Sequence, residues 1–160
     1  MEENKLIENF ELFNKMCEKA NNANMYSPAQ LAYAGDAVFE LLVRNYVLNN
    51  YDTSVNQMHR LTVKFVRAKA QAYIVSQLTD ELSEEEKKIV KRGRNAKVTS
   101  SPKNVEFMDY RYATGFEALF GYLFLNKNID RLLYIFHKAI EVIAEKDDKI
   151  ENNRRKKSGD

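Results

Sequence analysis

Apolar side chains recur every three or four residues along most of the chain, which is the spacing of an amphipathic helix. In the N-terminal segment the repeat runs through Leu6, Phe10, Phe13, Cys17 and Ala20. No segment shows the sustained alternation of apolar and polar residues that is typical of a half-buried strand. The pattern therefore predicts an all-α protein of six or seven helices.

Capping residues divide this pattern into separate helices. Ser27 followed by Pro28 predicts the start of a second helix, which should run to about Asn49. Ser54 and Gln57 have the spacing of a capping box and predict the start of a third helix. The apolar positions that follow form one continuous helical stripe: Met58, Leu61, Phe65, Ala68, Ala72 and Val75. We therefore expect the third helix to run unbroken through that stripe.

The same capping-box spacing recurs at Ser83 and Glu86 and predicts a short, charged fourth helix that Gly93 ends. Residues 94–104 should form an exposed loop, followed by a helix over about 106–126. The apolar positions of a last helix are Ile129, Leu132, Leu133, Phe136, Ile140 and Ile143. After about Lys146 the chain becomes polar, so residues 147–160 are expected to be a disordered tail.

The length and composition indicate one domain inside the cell. A chain of 160 residues can bury a core of its own. The one cysteine, Cys17, cannot form an internal disulfide, and the first ten residues lack the apolar core of a secretory signal. No stretch approaches the roughly 20 apolar residues that span a bilayer. We therefore expect a cytoplasmic protein with no membrane partner.

The net charge of +2 hides two basic segments. Residues 53–79 contain four Lys or Arg and no acid, and residues 87–105 contain seven and no acid. The candidate phosphate-binding side chains are Arg60, Lys64 and Arg67 on one helical stripe, and Lys91, Arg92, Arg94, Lys97 and Lys103 around the predicted loop. An ordinary solvated helix face is the alternative for the stripe, whereas the acid-free loop favours phosphate contact.

Two carboxylates interrupt the most apolar segments. Ten of the eleven residues at 115–125 are apolar or glycine and the exception is Glu117, while Asp36 interrupts a similar run at 31–43. A helix that is apolar on every face is expected to be buried on every face, where an unpaired carboxylate costs several kcal/mol. Either the two carboxylates share a hard cation such as Mg²⁺, or each pairs with a buried Arg or Lys or caps a backbone group. Gly35 would allow the two helices to approach closely, and Glu40 could support the site or be a solvated carboxylate.

Four ordered motifs carry a resemblance to a known family. They are LAYAGDAVFELLVR at 31–44, VRAKAQA at 66–72, KRGRNAK at 91–97 and YRYATGFEALFGYLFL at 110–125. Together they resemble Mini-ribonuclease III, the branch of the ribonuclease III family that lacks the double-stranded RNA-binding domain. The resemblance covers about residues 25–145.

This resemblance implies a homodimeric, Mg²⁺-dependent endoribonuclease that hydrolyses double-stranded RNA and matures the 23S ribosomal RNA precursor. It places Asp36 and Glu117 at catalytic, metal-linked positions and Tyr33 in the dimer interface. The catalytic domain would then cover residues 1–146. We expect a ribosomal protein, or the folded precursor itself, to direct cleavage.

The chain departs from the larger ribonuclease III enzymes at acidic positions. By the resemblance, Ala32 and Thr114 stand where those larger enzymes place Glu and Asp, and Gln57 replaces a further acid of theirs, as in the Mini-ribonuclease III branch. The metal shell would then be completed by water, Thr114 or substrate phosphate, and one well-held Mg²⁺ is expected. The rival hypotheses are a dimeric helical RNA-binding module without catalysis and a helical protein–protein adaptor.

Overall fold

A computed structural model describes residues 22–97, 103 and 106–157, with side chains to Arg155. Its six α-helices are α1 (Pro28–Asn50), α2 (Val55–Val66), α3 (Ala68–Leu78), α4 (Glu84–Arg94), α5 (Phe107–Leu125) and α6 (Ile129–Lys157). Short 3₁₀ helices cover Ala23–Met25 and Thr79–Glu81. There is no strand in these residues, so the predicted all-α class is confirmed there. The predicted N-terminal helix with Cys17 and most of the predicted loop lie outside them.

Serine caps begin three helices where the sequence predicts them. Ser27 and Ser83 begin α1 and α4 with complete capping boxes, in which the third helical residue also bonds back to the serine N–H. Ser54 begins α2 by accepting a hydrogen bond from the backbone N–H of Gln57 at 3.4 Å. Each cap satisfies a backbone donor that the helix itself leaves unpaired and contributes about 1 kcal/mol.

The prediction of one unbroken third helix is wrong. Arg67 has an extended backbone (φ −64°, ψ 146°) between α2 and α3. Its N–H bonds to Val63 at 3.2 Å and its carbonyl accepts from Ala70 at 2.9 Å, so one residue ends one helix and begins the next. Both helices pack on the same core, and the apolar stripe therefore continues across the break. Without a proline or glycine at the break, the spacing alone could not reveal it.

Two helices end later than predicted. Gly93 does not end α4, which continues to Arg94, because Gly93 is buried in the last turn against α5. A Cβ there would lie 2.8 Å from the Cα of Gly115. The last helix also continues past Lys146 to Lys157. A glycine that permits close packing and a glycine that ends a helix are not distinguished by sequence pattern.

The core is built around α5, which packs against α1, α3, α4 and α6. Phe39 of α1 meets Phe116 and Phe120 of α5 with ring centroids 4.9 Å and 5.0 Å apart, and all three side chains are fully buried. Edge-to-face aromatic packing of this kind adds to the roughly 1.5–3 kcal/mol gained by burying each ring. This cluster fixes where α1 and α5 cross.

The expectation that both apolar helices are buried on every face is wrong for α1. Tyr33, Leu41 and Leu48 are 85%, 68% and 64% exposed, and Asp36 is exposed as well. The opposite side of α1 is buried in the core and includes Phe39. No helix of the described ranges is long and apolar enough to cross a membrane.

A buried ion pair links α4 to α6. Arg131 donates from Nε and Nη2 to the two carboxylate oxygens of Glu86, both at 2.8 Å, and from Nη2 to the carbonyl of Glu81 at 2.8 Å. Glu86 is only 5% exposed. The hydrogen bonds from Arg131 outweigh the effect of burial and lower the pKa of Glu86.

We expect Arg131→Met to lower the free energy of unfolding by about 3 kcal/mol at neutral pH, because it leaves a buried carboxylate unpaired. Since the folded pKa of Glu86 is lowered, the pair's contribution is present above the unfolded pKa of about 4.3 and disappears as the pH falls through the folded pKa. Urea unfolding of both proteins across this range measures the difference. Lys138→Met, which breaks an exposed pair with Glu141, is the control and should change stability by well under about 1 kcal/mol. A loss for Arg131→Met that is independent of pH would contradict the account.

Candidate active site

Two glycines bring the backbones of α1 and α5 into direct contact. A Cβ at Gly35 would lie 1.7 Å from the carbonyl oxygen of Glu117, and a Cβ at Gly121 would lie 1.9 Å from that of Leu31. No other residue type fits at either position without separating the helices. The predicted close approach at Gly35 is confirmed, and it places Asp36, the next residue, beside Glu117.

The carboxyl groups of Asp36 and Glu117 interact through a side-chain hydrogen bond. Burial raises the pKa of Glu117 to about 8, and the negative charge of Asp36 acts in the same direction. Asp36 is exposed overall, but its partial burial and the charge of Glu40 raise its pKa, whereas the hydrogen bond from Glu117 lowers it. At neutral pH, Glu117 therefore keeps its proton and donates it to the Asp36 carboxylate.

This pair fits a hard divalent cation. Neither carboxyl forms an ion pair with Lys or Arg in the part of the chain that the structure describes, so buried ion pairing does not account for them there. No cluster of three or more Asp, Glu, His or Cys occurs in the same residues. Mg²⁺ needs few protein oxygens because it keeps several waters. Two carboxyls that share a proton can exchange that proton for the cation.

Glu40 and Thr114, the two predicted supporting residues, have other partners. Glu40 accepts a hydrogen bond from Arg44 Nε at 2.8 Å and forms an exposed ion pair with it. Thr114 donates its hydroxyl proton to the carbonyl of Tyr110 at 2.9 Å. Glu40 influences the site through its charge on Asp36. A role for Thr114 stays a prediction.

Sequence reasoning missed Gln71 of α3. This side chain is only 1% exposed. It interacts with the Glu117 carboxyl and acts to lower the pKa of Glu117. The interaction is not a well-formed hydrogen bond, since both amide atoms lack a partner within hydrogen-bond geometry among the described residues. The available signal was one polar residue between two alanines inside an apolar stripe.

The predicted basic residues lie on the surface with one exception. Exposed positions are Arg60, Lys64, Arg67, Lys91, Arg92, Lys97 and Lys103. Lys64 Nζ lies 3.5 Å from Asp147 on the extended part of α6. Arg94 is partly buried, with its guanidinium 5.4 Å from the centre of the Tyr112 ring. Most of the set can therefore reach a ligand without breaking an internal contact.

Sequence reasoning also missed Arg111, a residue of α5 that forms hydrogen bonds with the C-terminal end of α4. Its Nε donates to the carbonyl of Arg94 at 2.7 Å and its Nη2 donates to Asn95 Oδ1 at 3.2 Å. A cation bonded to the last carbonyls of a helix is favourable, because that end carries partial negative charge. The contact holds the C-terminal end of α4, and with it Lys97, next to α5.

Comparison with known proteins identifies the family. The Ribonuclease III domain matches residues 29–128. Mini-ribonuclease 3 from Thermoanaerobacter sp. (strain X514) is 48% identical, over 87% of this chain and 94% of that protein. Mini-ribonuclease 3 from Staphylococcus aureus is 35% identical, over 81% and 98% respectively. Protein FN1578 from Fusobacterium nucleatum has a similar structure, with a TM-score of 0.66 and 32% identity over 73% of this chain and 93% of that one.

These likenesses cover most of the chain, and they include the segment that crosses at Gly35 and the helix that carries Glu117. The chain therefore belongs to the ribonuclease III family of metal-dependent endoribonucleases that act on double-stranded RNA, in the branch of the Mini-ribonuclease 3 relatives.

Proposed function

We propose that Asp36 and Glu117 hold one Mg²⁺ ion with which a homodimer of this chain hydrolyses phosphodiesters in double-stranded RNA, and that its substrate is the 23S ribosomal RNA precursor in the cytoplasm. The observation that carries the proposal is the carboxyl pair at the glycine crossing of α1 and α5. Family membership supports the reaction type.

The chain's own part in the reaction is to hold two oxygen ligands in a fixed place. When bound, Mg²⁺ supplies Lewis-acid stabilisation of phosphoryl charge and a water nucleophile. Glu117 releases the proton it shares with Asp36 when the cation binds. The backbone contact at Gly35 keeps both carboxylates in position, since neither helix can shift without the other. Fixed ligands of this kind need no reorganisation during reaction.

The exposed cations supply the RNA contacts in this proposal. Lys91, Arg92, Lys97 and Lys103 lie on or beyond the last turn of α4, and Arg60 and Arg67 lie on α2 and at its end. They would bind phosphates in a sequence-independent, salt-sensitive way. Double-stranded RNA is distinguished from DNA by its A-form groove and its 2′-hydroxyls.

The metal and duplex requirements have a direct test. Purified protein is incubated with a long RNA duplex in Mg²⁺ or in EDTA, with the separated strands and a DNA duplex of the same sequence as controls. The proposal expects cleavage of the RNA duplex in Mg²⁺ alone. Salt-sensitive duplex binding without cleavage in any divalent cation would instead support a non-catalytic RNA-binding module.

The exposed face of α1 supports the proposed homodimer. Tyr33, Leu41 and Leu48 form an apolar stripe that is too exposed for a monomer's core helix. A pocket of about 220 Å³ lined by Val47 and Val55 among others lies beside this stripe. In an isologous dimer the same stripe meets its copy, so an aromatic such as Tyr33 can enter a recess of the partner.

We expect Leu41→Asp to convert the dimer to a folded monomer, because it places a charge in the centre of the apolar stripe. Sedimentation and circular dichroism at one protein concentration measure mass and folding. Leu133→Asp makes the same change on α6, where the leucine is 42% exposed, and should leave the dimer intact. A monomeric wild type, or a Leu41→Asp protein that remains dimeric, would contradict the proposed interface.

The likeness to Mini-ribonuclease 3 relatives supports the proposed ribosomal substrate. A precursor fragment containing the paired ends of 23S ribosomal RNA should be cut at one position in each strand, whereas a duplex of equal length and shuffled sequence should be cut more slowly. Adding ribosomal proteins that bind near these ends tests for an assisting partner. Equal cleavage of both duplexes, with or without those proteins, would contradict the proposed substrate.

A further inference from the structure

Gln71 has a buried side chain that the described fold leaves without hydrogen bonds. It is 1% exposed, and neither Nε2 nor Oε1 has a partner within hydrogen-bond geometry among the described residues. Leaving a buried polar group unpaired costs about 1–3 kcal/mol. Nearly all buried polar groups in native proteins are paired, so an exception calls for a function.

The position of Gln71 indicates that function. It lies in α3 between the buried Ala70 and Ala72, where α3 packs against α5. Its side chain lies beside the carboxyl of Glu117. Its neighbours on this side of α3, Ile74 and Val75 among them, are buried apolar side chains. A leucine would therefore pack at position 71 at least as well as glutamine does.

A metal-bound Glu117 carboxylate would give the amide of Gln71 an acceptor. An ionised Glu117 with one oxygen on a cation has lone pairs left, and a charge-assisted hydrogen bond from an amide N–H is about twice as strong as a neutral one. Carboxylates that bind metals are held by hydrogen bonds of this kind.

We propose that Gln71 is a positioning residue of the active site: its side-chain amide donates to the Glu117 carboxylate when that group binds the metal, and so holds the carboxylate toward Asp36. The inference rests on the proposed function, in which Glu117 is a metal ligand. It adds a third side chain, from a third helix, to a site that the sequence assigns to α1 and α5 alone.

The test measures metal affinity and stability separately. Gln71→Leu should weaken Mn²⁺ binding to the RNA-free protein by about tenfold in a calorimetric titration, and lower kcat with KM for RNA unchanged. Its melting temperature without metal should equal or exceed that of the wild type, because an unpaired amide is removed. If Gln71 mattered only for packing, Gln71→Leu would lower the melting temperature and leave the metal affinity unchanged.

Two further variants keep the test decisive. Gln71→Asn retains an amide but withdraws it by one methylene. It should therefore lose metal affinity as Gln71→Leu does. If the leucine variant does not fold, the result for Gln71→Asn decides whether the inference holds. Gln77→Leu changes an exposed glutamine of the same helix and should match the wild type. Wild-type Mn²⁺ affinity in both Gln71 variants would overturn the inference.

Failure of this inference is distinguishable from failure of the proposed function. If Glu117→Gln abolishes Mn²⁺ binding while both Gln71 variants bind normally, only the role of Gln71 is wrong. If the wild type binds no Mn²⁺, or Glu117→Gln binds it normally, the metal site and the role of Gln71 are both wrong.

Discussion

Glu117→Gln is expected to lower the rate of duplex RNA cleavage by about a thousandfold or more and, at the same time, to stabilise the metal-free protein. The amide matches the shape of the carboxyl but cannot become the anion that binds a hard cation. The gain in stability follows from the pKa of Glu117, which burial raises to about 8. Loss of cleavage together with a gain in stability would indicate that the Glu117 carboxyl serves catalysis at the expense of stability.

The sign of the stability change depends on pH. Between the unfolded pKa of about 4.3 and the folded pKa, the native protein holds a proton that the unfolded chain releases, so wild-type stability falls as the pH rises. Glutamine has no such proton. In EDTA the difference in unfolding free energy between variant and wild type should therefore grow with pH and reach the order of 3 kcal/mol near pH 8.

Single-turnover cleavage and urea unfolding in EDTA measure the two effects. Asp36→Asn should also abolish cleavage. Glu141→Gln, an exposed carboxylate of α6, is the matched control and should alter neither property. Cleavage by Glu117→Gln at the wild-type rate, or a stability that follows the wild-type pH profile, would contradict the roles given to this carboxyl.

Gly35→Ala is expected to lower the free energy of unfolding by more than about 4 kcal/mol, or to prevent folding. The added Cβ would lie 1.7 Å from the carbonyl oxygen of Glu117, and backbone cannot move aside as a flexible side chain can. Alanine is a better helix former than glycine by about 1 kcal/mol. Without the helix contact, the same substitution would therefore stabilise the protein, so the sign of the change alone distinguishes the two cases.

A graded series strengthens this prediction. At Gly93 the nearest atom to an added Cβ is 2.8 Å away, so Gly93→Ala should destabilise less than Gly35→Ala. Thermal and urea unfolding of the two variants and the wild type establish the order. A Gly35→Ala protein as stable as the wild type would mean that α1 and α5 are not in backbone contact at Asp36.

Much of the fold could be predicted from local signals. Ser27 and Ser83 begin helices because their hydroxyls bond within one turn, and such a signal is complete within four residues. The break at Arg67 and the internal position of Gly93 could not be predicted, since each depends on what the neighbouring helix presents. The extension of α6 to Lys157 was also not predictable, because the polar composition after Lys146 indicates a disordered tail.

In the candidate site too, residues with a local sequence signal could be predicted, and residues that depend on contacts between helices could not. Glu117 could be singled out because an acid in an apolar run is visible in sequence. The sequence predicts buried surroundings for Asp36, and this prediction is wrong because the exposed stripe of α1 has the composition of a core. The sequence marks Gln71 only as one polar residue inside an apolar stripe, because its nearness to Glu117 depends on the packing of α3 on α5. The role of Arg111 depends on a contact between α5 and the end of α4, for which the sequence carries no signal.

The most direct test of the central claim is the location of the metal itself. Crystals soaked in Mn²⁺, which replaces Mg²⁺ and scatters anomalously, should show one anomalous peak within about 2 Å of a carboxylate oxygen of Asp36 and of Glu117. The peak should be absent in crystals of Glu117→Gln soaked in the same way. A peak bound by other residues, or none at a Mn²⁺ concentration that supports cleavage, would contradict the claim that these two carboxylates carry the reaction.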